Sequence, residues 1–377
     1  MSLSRCRTVP GMVVAYLSTR VLCLKFKIKI PQDQSLATLI GWINRSWSVF
    51  PRSQPEFEII SKSMPSPVVI VIGASRGIGR QIALTLAQNG YTVVVSAKSS
   101  STEPLKSFPP DPNSSESTID TVAQEIKQAG GKAFAKQANV RDPKSVDELI
   151  QWTIKTLGHI DAVVYNPGAI FWASVIETPI KRYQLMHEVN TLGLYATVQS
   201  VLPHFYSRNT GRLVIVSPPI YSRFPRGKAA YAMTKYAMTT LMIGLYHDFK
   251  RQKVATGFDG GVCSIWPATG IVSAATEFNA PGSKPELRKP DIFADAILAI
   301  LTESDVSKFS GKAWLDEDFL RELKGVTDFA SYAVTPGVKV RRIMPKKLPS
   351  LEVEEEEEED EGDRMNSLSL RKERAKL

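Results

Sequence analysis

Cysteine is scarce in this chain. There are three, Cys6, Cys23 and Cys263, with no CxxC pair and no metal spacing. Residues 64–345 hold only Cys263, which excludes a disulfide framework there and reads as a reduced, intracellular setting. Histidine is nearly as rare. His159, His187, His204 and His247 form no pair at ligand spacing, so no metal site is expected. No run of 18 apolar residues occurs, and the apolar stretch 11–24 is broken by Arg20, so no integral membrane segment is expected. Basic motifs interleaved with aromatics are also missing, which argues against a nucleic-acid partner.

What is present reads as globular: 43% of residues are hydrophobic and 23% charged. The net charge of +9 is unevenly spread. Residues 1–63 carry nine Lys/Arg against three acids, and residues 346–377 carry seven against eleven. The basic first segment has two readings: a mitochondrial-type transit leader, or an artefactual extension with Met64 as the true start. The second is favoured, because the fold signal begins directly after Met64. The last segment is an acidic, disordered tail, with the run Glu354–Glu359 repelling itself. It ends in Ala375-Lys376-Leu377, a near variant of the Ser-Lys-Leu address read by the peroxisomal import receptor. A peroxisomal location is therefore expected, with the mitochondrion as the alternative.

Between these extensions strands and helices alternate. Val68–Ile72 is a continuous β-branched run, as in a buried parallel strand. A helix over 77–89 follows, then strand 91–96, a Ser/Pro-rich loop 99–118, helix 119–129 and strand 132–137. Asp142-Pro143 reads as an N-cap and first turn. Strand 161–165, a long helix 180–206, strand 212–217, helix 229–250, strand 262–266, helix 291–301 and strand 312–315 complete the pattern. Repeated β-then-α units require right-handed crossovers and a parallel sheet covered on both faces. The expectation is a single α/β domain, doubly wound, over 64–345, with flexible extensions at both ends. Ligands of such sheets sit at the carboxyl ends of the strands.

Gly73-Ala74-Ser75-Arg76-Gly77-Ile78-Gly79 falls at the first strand–helix junction. Gly73 permits a tight turn, while Gly77 and Gly79 let backbone approach a pyrophosphate. Sites for NAD place an acid after the second strand. Here that region reads Val95-Ser96-Ala97-Lys98, with no acid and with Lys98 lying 19 residues beyond Gly79. Lys98 and Arg76 are cations suited to a 2′-phosphate, which points to NADP. Tyr231 and Lys235 stand at i and i+4, on one helix face. A phenol titrates near ~10, and a fixed ammonium beside it favours the phenolate. Tyr231 could then exchange a proton with a carbinol.

Together, the Gly73–Gly79 turn, Tyr165-Asn166-Pro167-Gly168, Asn190 and the Tyr231/Lys235 pair resemble the short-chain dehydrogenase/reductase family, over roughly Val68 to Leu315. Ala97-Lys98, Ser217-Pro218-Pro219, Trp266-Pro267 and the stretch 325–337 are similar to its hydroxysteroid dehydrogenase-like branch. Members of that branch often carry a sterol-carrier domain after the reductase domain, for which this chain has no room. The resemblance implies a Rossmann fold and an NADP(H)-dependent interconversion of carbonyl and alcohol, on a lipid-derived or steroid-like small molecule. It implies that Tyr231 moves the proton, that Lys235 binds the nicotinamide ribose, and that Asn190 holds a water relay. Gly73, Ser75, Arg76 and Ile78 would meet the phosphates. It also implies a homo-oligomer paired through helices 180–206 and 229–250.

Three departures stand out. The serine that orients the substrate carbonyl should lie 13 residues before the tyrosine, where Pro218 stands, so Ser217 or Ser222 would have to substitute. The usual Asn-Asn-Ala-Gly reads Tyr165-Asn166-Pro167-Gly168. The acid that touches the adenine amine is Asn139, whose amide oxygen can still accept that bond. Pro218 motivates the alternative reading, a catalytically weak NADP-binding regulatory module. The substrate itself is not written in the sequence. Its pocket would be shaped by the loops after the fourth, fifth and sixth strands, including 268–290.

Overall fold

A computed structural model describes residues 66–101 and 108–351, and within residues 2–29 the backbone of three strands. The acidic run Glu354–Glu359, the terminal Ala375-Lys376-Leu377 and most of the basic segment 1–63 lie outside the described residues. Contacts divide the chain into two units, Met1–Pro67 and Val68–Leu377. In the first, β1 (Ser2–Val9), β2 (Met12–Thr19) and β3 (Leu22–Lys29) pair antiparallel in sequence order. The sequence reading assigned no strands there.

The second unit is built on seven strands: β4 (Val68–Ile72), β5 (Thr92–Ser96), β6 (Lys132–Ala135), β7 (Ala162–Tyr165), β8 (Thr210–Val216), β9 (Asp259–Trp266) and β10 (Ala313–Leu315). Every pairing is parallel, in the order β10-β9-β8-β7-β4-β5-β6. Every residue of β4 and β5 is buried. A parallel sheet is covered on both faces, which is why these strands read as unbroken apolar runs rather than alternating ones. Each fully buried Val or Ile contributes roughly 1.5–3 kcal/mol relative to an exposed one.

One layer holds α1 (Gly77–Gln88), α2 (Ile119–Gln128) and α8 (Asp291–Thr302), packed through Ile82, Leu86, Ile126 and Ile297. The other holds α3 (Pro143–Leu157), α5 (Gly193–Arg208) and α6 (Ala229–Thr256), packed through Leu149, Val201, Phe205 and Met242. The Asp142 side chain caps α3 by accepting from the Lys144 amide, with Pro143 in the first turn. This is the doubly wound α/β architecture expected from the sequence.

Three elements differ from expectation. The helix read as 180–206 is α4 (Ile180–Met186), a π-helical segment (His187–Leu192) and α5 in succession. Two further helices were not foreseen: α7 (Ala274–Asn279), and α9 (Asp316–Lys324), which starts directly after β10. Asp316, Glu317 and Asp318 crowd the first turn of α9, where carboxylates complement the helix dipole. Strand order reverses at β4, between β5 and β7. The crevice at the carboxyl ends of these strands is where such a sheet receives a ligand.

Candidate active site at the sheet's switch point

The Gly-rich turn is braced from both sides. Gly73 has φ +77°, a left-handed conformation that favours glycine. Its N–H and that of Ala74 donate to the Ser96 carbonyl at the end of β5, at 2.7 and 3.1 Å. From the other side Asn166 Nδ2 donates to the Gly73 carbonyl at 3.0 Å. A Cβ on Gly79 would strike both that carbonyl and the Asn166 amide. Asn166 thus holds the turn in shape. Ile78 is partly buried and packs against the core beneath.

The start of α1 has no side-chain cap and no acid in its first turn. An uncapped helix start of this kind favours an anion. Arg76 is the N-cap residue and Lys98 is exposed beyond β5; among the described residues neither has an ion-pair partner. Together these features fit the phosphates of a dinucleotide. Part of the loop after β5 also lies against the turn: Gly77 N–H donates to the Pro112 carbonyl at 2.9 Å, and Ser117 Oγ to the Ser75 carbonyl at 2.7 Å. Asn139 is tied locally. Its N–H donates to Ser145 Oγ, and its Oδ1 accepts from the Arg141 amide at 3.3 Å.

At the other end of the crevice, Tyr231 and Lys235 are both only 2% exposed on the first turns of α6. Burial pushes the Tyr231 phenol above its ordinary value. Burial also drives the Lys235 ammonium down from 10.5 to about 7. Desolvation is the cause in both cases, since it disfavours whichever form is charged. Lys235 Nζ donates to the Val216 carbonyl at 2.9 Å. A Cβ on Gly168 would lie 3.5 Å from that nitrogen, so the glycine lets the chain after β7 pass close to the lysine.

Asn190 is fully buried in the π-helical segment. Its Oδ1 accepts from Ala169 N at 2.8 Å, and its Nδ2 donates to Ala169 O at 3.1 Å and to Thr234 Oγ1 at 2.9 Å. It therefore joins the post-β7 chain to α6 between the two catalytic candidates. Tyr165 stands where an asparagine was expected, and its hydroxyl donates to the Val189 carbonyl at 2.6 Å. That carbonyl lies in the π-helical segment, a feature that often marks functional sites.

Ser217 does not take the place left by Pro218. It is fully buried, with its Oγ paired to Thr239 Oγ1 at 2.9 Å rather than to Tyr231. Thr239 also donates to the Pro218 carbonyl. Ser222, the other candidate, is exposed. The Tyr231 hydroxyl itself has no hydrogen-bond partner among the described residues.

The structure adds residues that sequence reasoning missed. Trp172, from the segment after β7, packs edge-on against Tyr231 with centroids 6.3 Å apart. Phe224, from the segment after β8, lies 6.2 Å from the same ring. Lys228 Nζ sits 4.3 Å from the Phe224 centroid and 4.9 Å from that of Trp172. Trp266, at the end of β9, meets Phe224 at 5.9 Å and Lys235 Nζ at 5.4 Å. These residues come from separate loops, so no spacing in the sequence announces them.

A profile of the short chain dehydrogenase family matches residues 67–108 and 112–259. The chain belongs to the short-chain dehydrogenase/reductase family. Among its relatives is hydroxysteroid dehydrogenase-like protein 2 of Bos taurus, 34% identical over 272 residues, 71% of this chain and 60% of that protein. The protein of the same name in Danio rerio is 35% identical over 273 residues, 71% of this chain and 61% of that one. The chain thus spans about 60% of the length of these curated relatives. Among solved structures, a putative dehydrogenase from Xanthomonas campestris is 30% identical with a TM-score of 0.64, covering 77% of this chain and 98% of that one. The family is one of oxidoreductases that bind a nicotinamide cofactor.

Proposed function

We propose that this chain is an NADP(H)-dependent oxidoreductase that interconverts a carbonyl and an alcohol on a small, lipid-derived molecule. The observation that carries this reading is the buried Tyr231–Lys235 pair beside a braced Gly-rich turn. The preference for NADP rests on Arg76 and Lys98, two cations without ion-pair partners among the described residues, and on the lack of an acid after β5.

A bound NADPH would supply the hydride that reduces the carbonyl carbon, being oxidised to NADP+. The protein's part is positioning and proton transfer. Tyr231, its hydroxyl uncommitted, donates its proton to the carbonyl oxygen as charge develops there. Lys235, held on the Val216 carbonyl with its nitrogen close to Gly168, would bind the nicotinamide ribose of the cofactor. Burial lowers the basicity of its ammonium to about 7, so on this reading it can release and regain a proton at neutral pH. Asn190 fixes the post-β7 chain against α6, so that this geometry is set before substrate arrives. Trp172, Phe224 and Trp266 wall the reacting centre with apolar surface.

The buried Ser217 and Pro218 favour a second reading, a cofactor-binding module of weak catalytic power. NADPH absorbance followed against a panel of ketones separates the two. The first reading predicts turnover in the parent and a loss of about 10²–10⁴-fold in Tyr231→Phe. Saturable NADPH binding with no turnover on any carbonyl would favour the second.

A further inference from the structure

Lys228 is the N-cap residue of α6, three positions before Tyr231. It is half-buried, and its ammonium rests against the two rings, Phe224 and Trp172, that also pack on Tyr231. One aromatic ring therefore separates this cation from the reacting phenol. Among the described residues it has no carboxylate partner. The first turn of α6 holds no acid, and residues 221–228 hold Arg223, Arg226 and Lys228 with no acid among them. Glu177, on the neighbouring segment after β7, is engaged by the Ser174 hydroxyl at 2.6 Å and by its amide at 3.3 Å.

Stability does not account for the position. A cation at a helix N-terminus opposes the dipole. Desolvation lowers the basicity of Lys228, so the fold holds it where its charge is disfavoured. Contact with two rings offsets part of that cost, and a ligand of opposite charge would offset more of it.

Beside this cation the surface is apolar. Trp172, Val175 and Ile176 follow β7 and are exposed by 47%, 74% and 95%. Trp172 reaches Tyr231, and Val175 and Ile176 extend the apolar surface of the same segment three and four residues further on. A cation next to the reacting centre and an apolar rim beyond it match a molecule with one anionic group and a hydrocarbon body.

We propose that Lys228 recognises a carboxylate on the substrate, and that the substrate class is an amphiphilic keto acid or its hydroxy acid. This rests on the carbonyl–alcohol reading above and names the substrate class of that site. The carboxylate pairs with Lys228, the carbonyl meets Tyr231, and the alkyl portion lies along the rim formed by Trp172, Val175 and Ile176.

The test uses the full chain with NADPH and a matched pair, 5-oxodecanoate and its methyl ester. In the parent, KM for the acid is expected to be at least tenfold below that for the ester. In Lys228→Met that ratio is expected to collapse toward one, chiefly through KM for the acid, while Lys228→Arg keeps most of it. A parent that does not prefer the acid, or a ratio unchanged in Lys228→Met, overturns the proposal. Tryptophan fluorescence titration with 5-oxodecanoate in the presence of NADP+ reads binding without turnover. Binding that depends on Lys228, with no NADPH oxidation on any carbonyl, sinks the oxidoreductase reading and leaves the anion site standing. Turnover of neutral ketones with no binding of the acid does the reverse.

Discussion

Lys235 carries the sharpest physical contradiction in the site: a lysine only 2% exposed, driven from 10.5 to about 7 by burial. Below pH 7 both the folded and the unfolded lysine are charged, and folding bears the full desolvation cost. Between pH 7 and 10.5 the folded lysine is neutral while the unfolded one keeps its proton. The unfolded chain then binds more protons, so this group's contribution makes stability rise with pH across that window. Tyr231, whose ordinary value is raised, begins to act in the opposite sense only above pH 10. Lys235→Met should therefore stabilise the cofactor-free protein at pH 7 by about 2 kcal/mol, after allowing for the unpaired Val216 carbonyl. The gain should shrink as pH approaches 10, while NADPH binding weakens. Thermal melts from pH 7 to 10 check this, and a gain constant over that range would refute it. Tyr231, Lys235 and Asn190 were legible in the sequence because a helix fixes what i and i+4 share and because the family pattern marks them. Lys228, Trp172 and Phe224 were not. Their meeting depends on the paths of two loops, and loop paths leave no periodic trace.

At the scale of elements, the β4–α1 turn works as one unit with its neighbours. Ser96 at the end of β5 accepts from its two leading amides, and Asn166 beyond β7 holds its first carbonyl. The turn's glycines could be read from sequence, since strand, turn and helix are local. The role of Asn166 could not, because it is a contact across 93 residues. The π-helical segment was equally invisible: its sequence has ordinary helical character, and its carbonyl at Val189 is satisfied by Tyr165 from a separate strand. Beyond β5, Lys98 is exposed and unpaired among the described residues. On the NADP reading its charge meets the 2′-phosphate, so Lys98→Asp should weaken NADPH binding at least tenfold and leave NADH nearly unaffected. Calorimetric titration with both cofactors measures it. Equal losses would show that Lys98 acts on something the two cofactors share.

At the scale of the whole molecule, the parallel pairing of the sheet β10-β9-β8-β7-β4-β5-β6 follows from the alternation of elements and the handedness of parallel crossovers. The parallel, doubly wound sheet was readable from hydrophobic runs and turn residues; the order of its strands was not, since it depends on which strands meet across the chain. The β1–β3 meander in residues 2–29 was not readable either, because that segment was read for its basic charge rather than for its short apolar runs. The fold links the Gly-rich turn and the Tyr231 helix through the chain after β7, where Asn166 bonds the turn and Asn190 ties Ala169 to Thr234. The most direct measurement is isotope transfer. The full chain is incubated with a keto acid and NADPH deuterated at both C4 positions of the nicotinamide, and the product is analysed by mass. One deuterium on the carbinol carbon, found with the parent and absent with Tyr231→Phe, is the result predicted. Full retention of deuterium by the cofactor across the ketone panel, while NADPH binds with measurable affinity, would contradict the account.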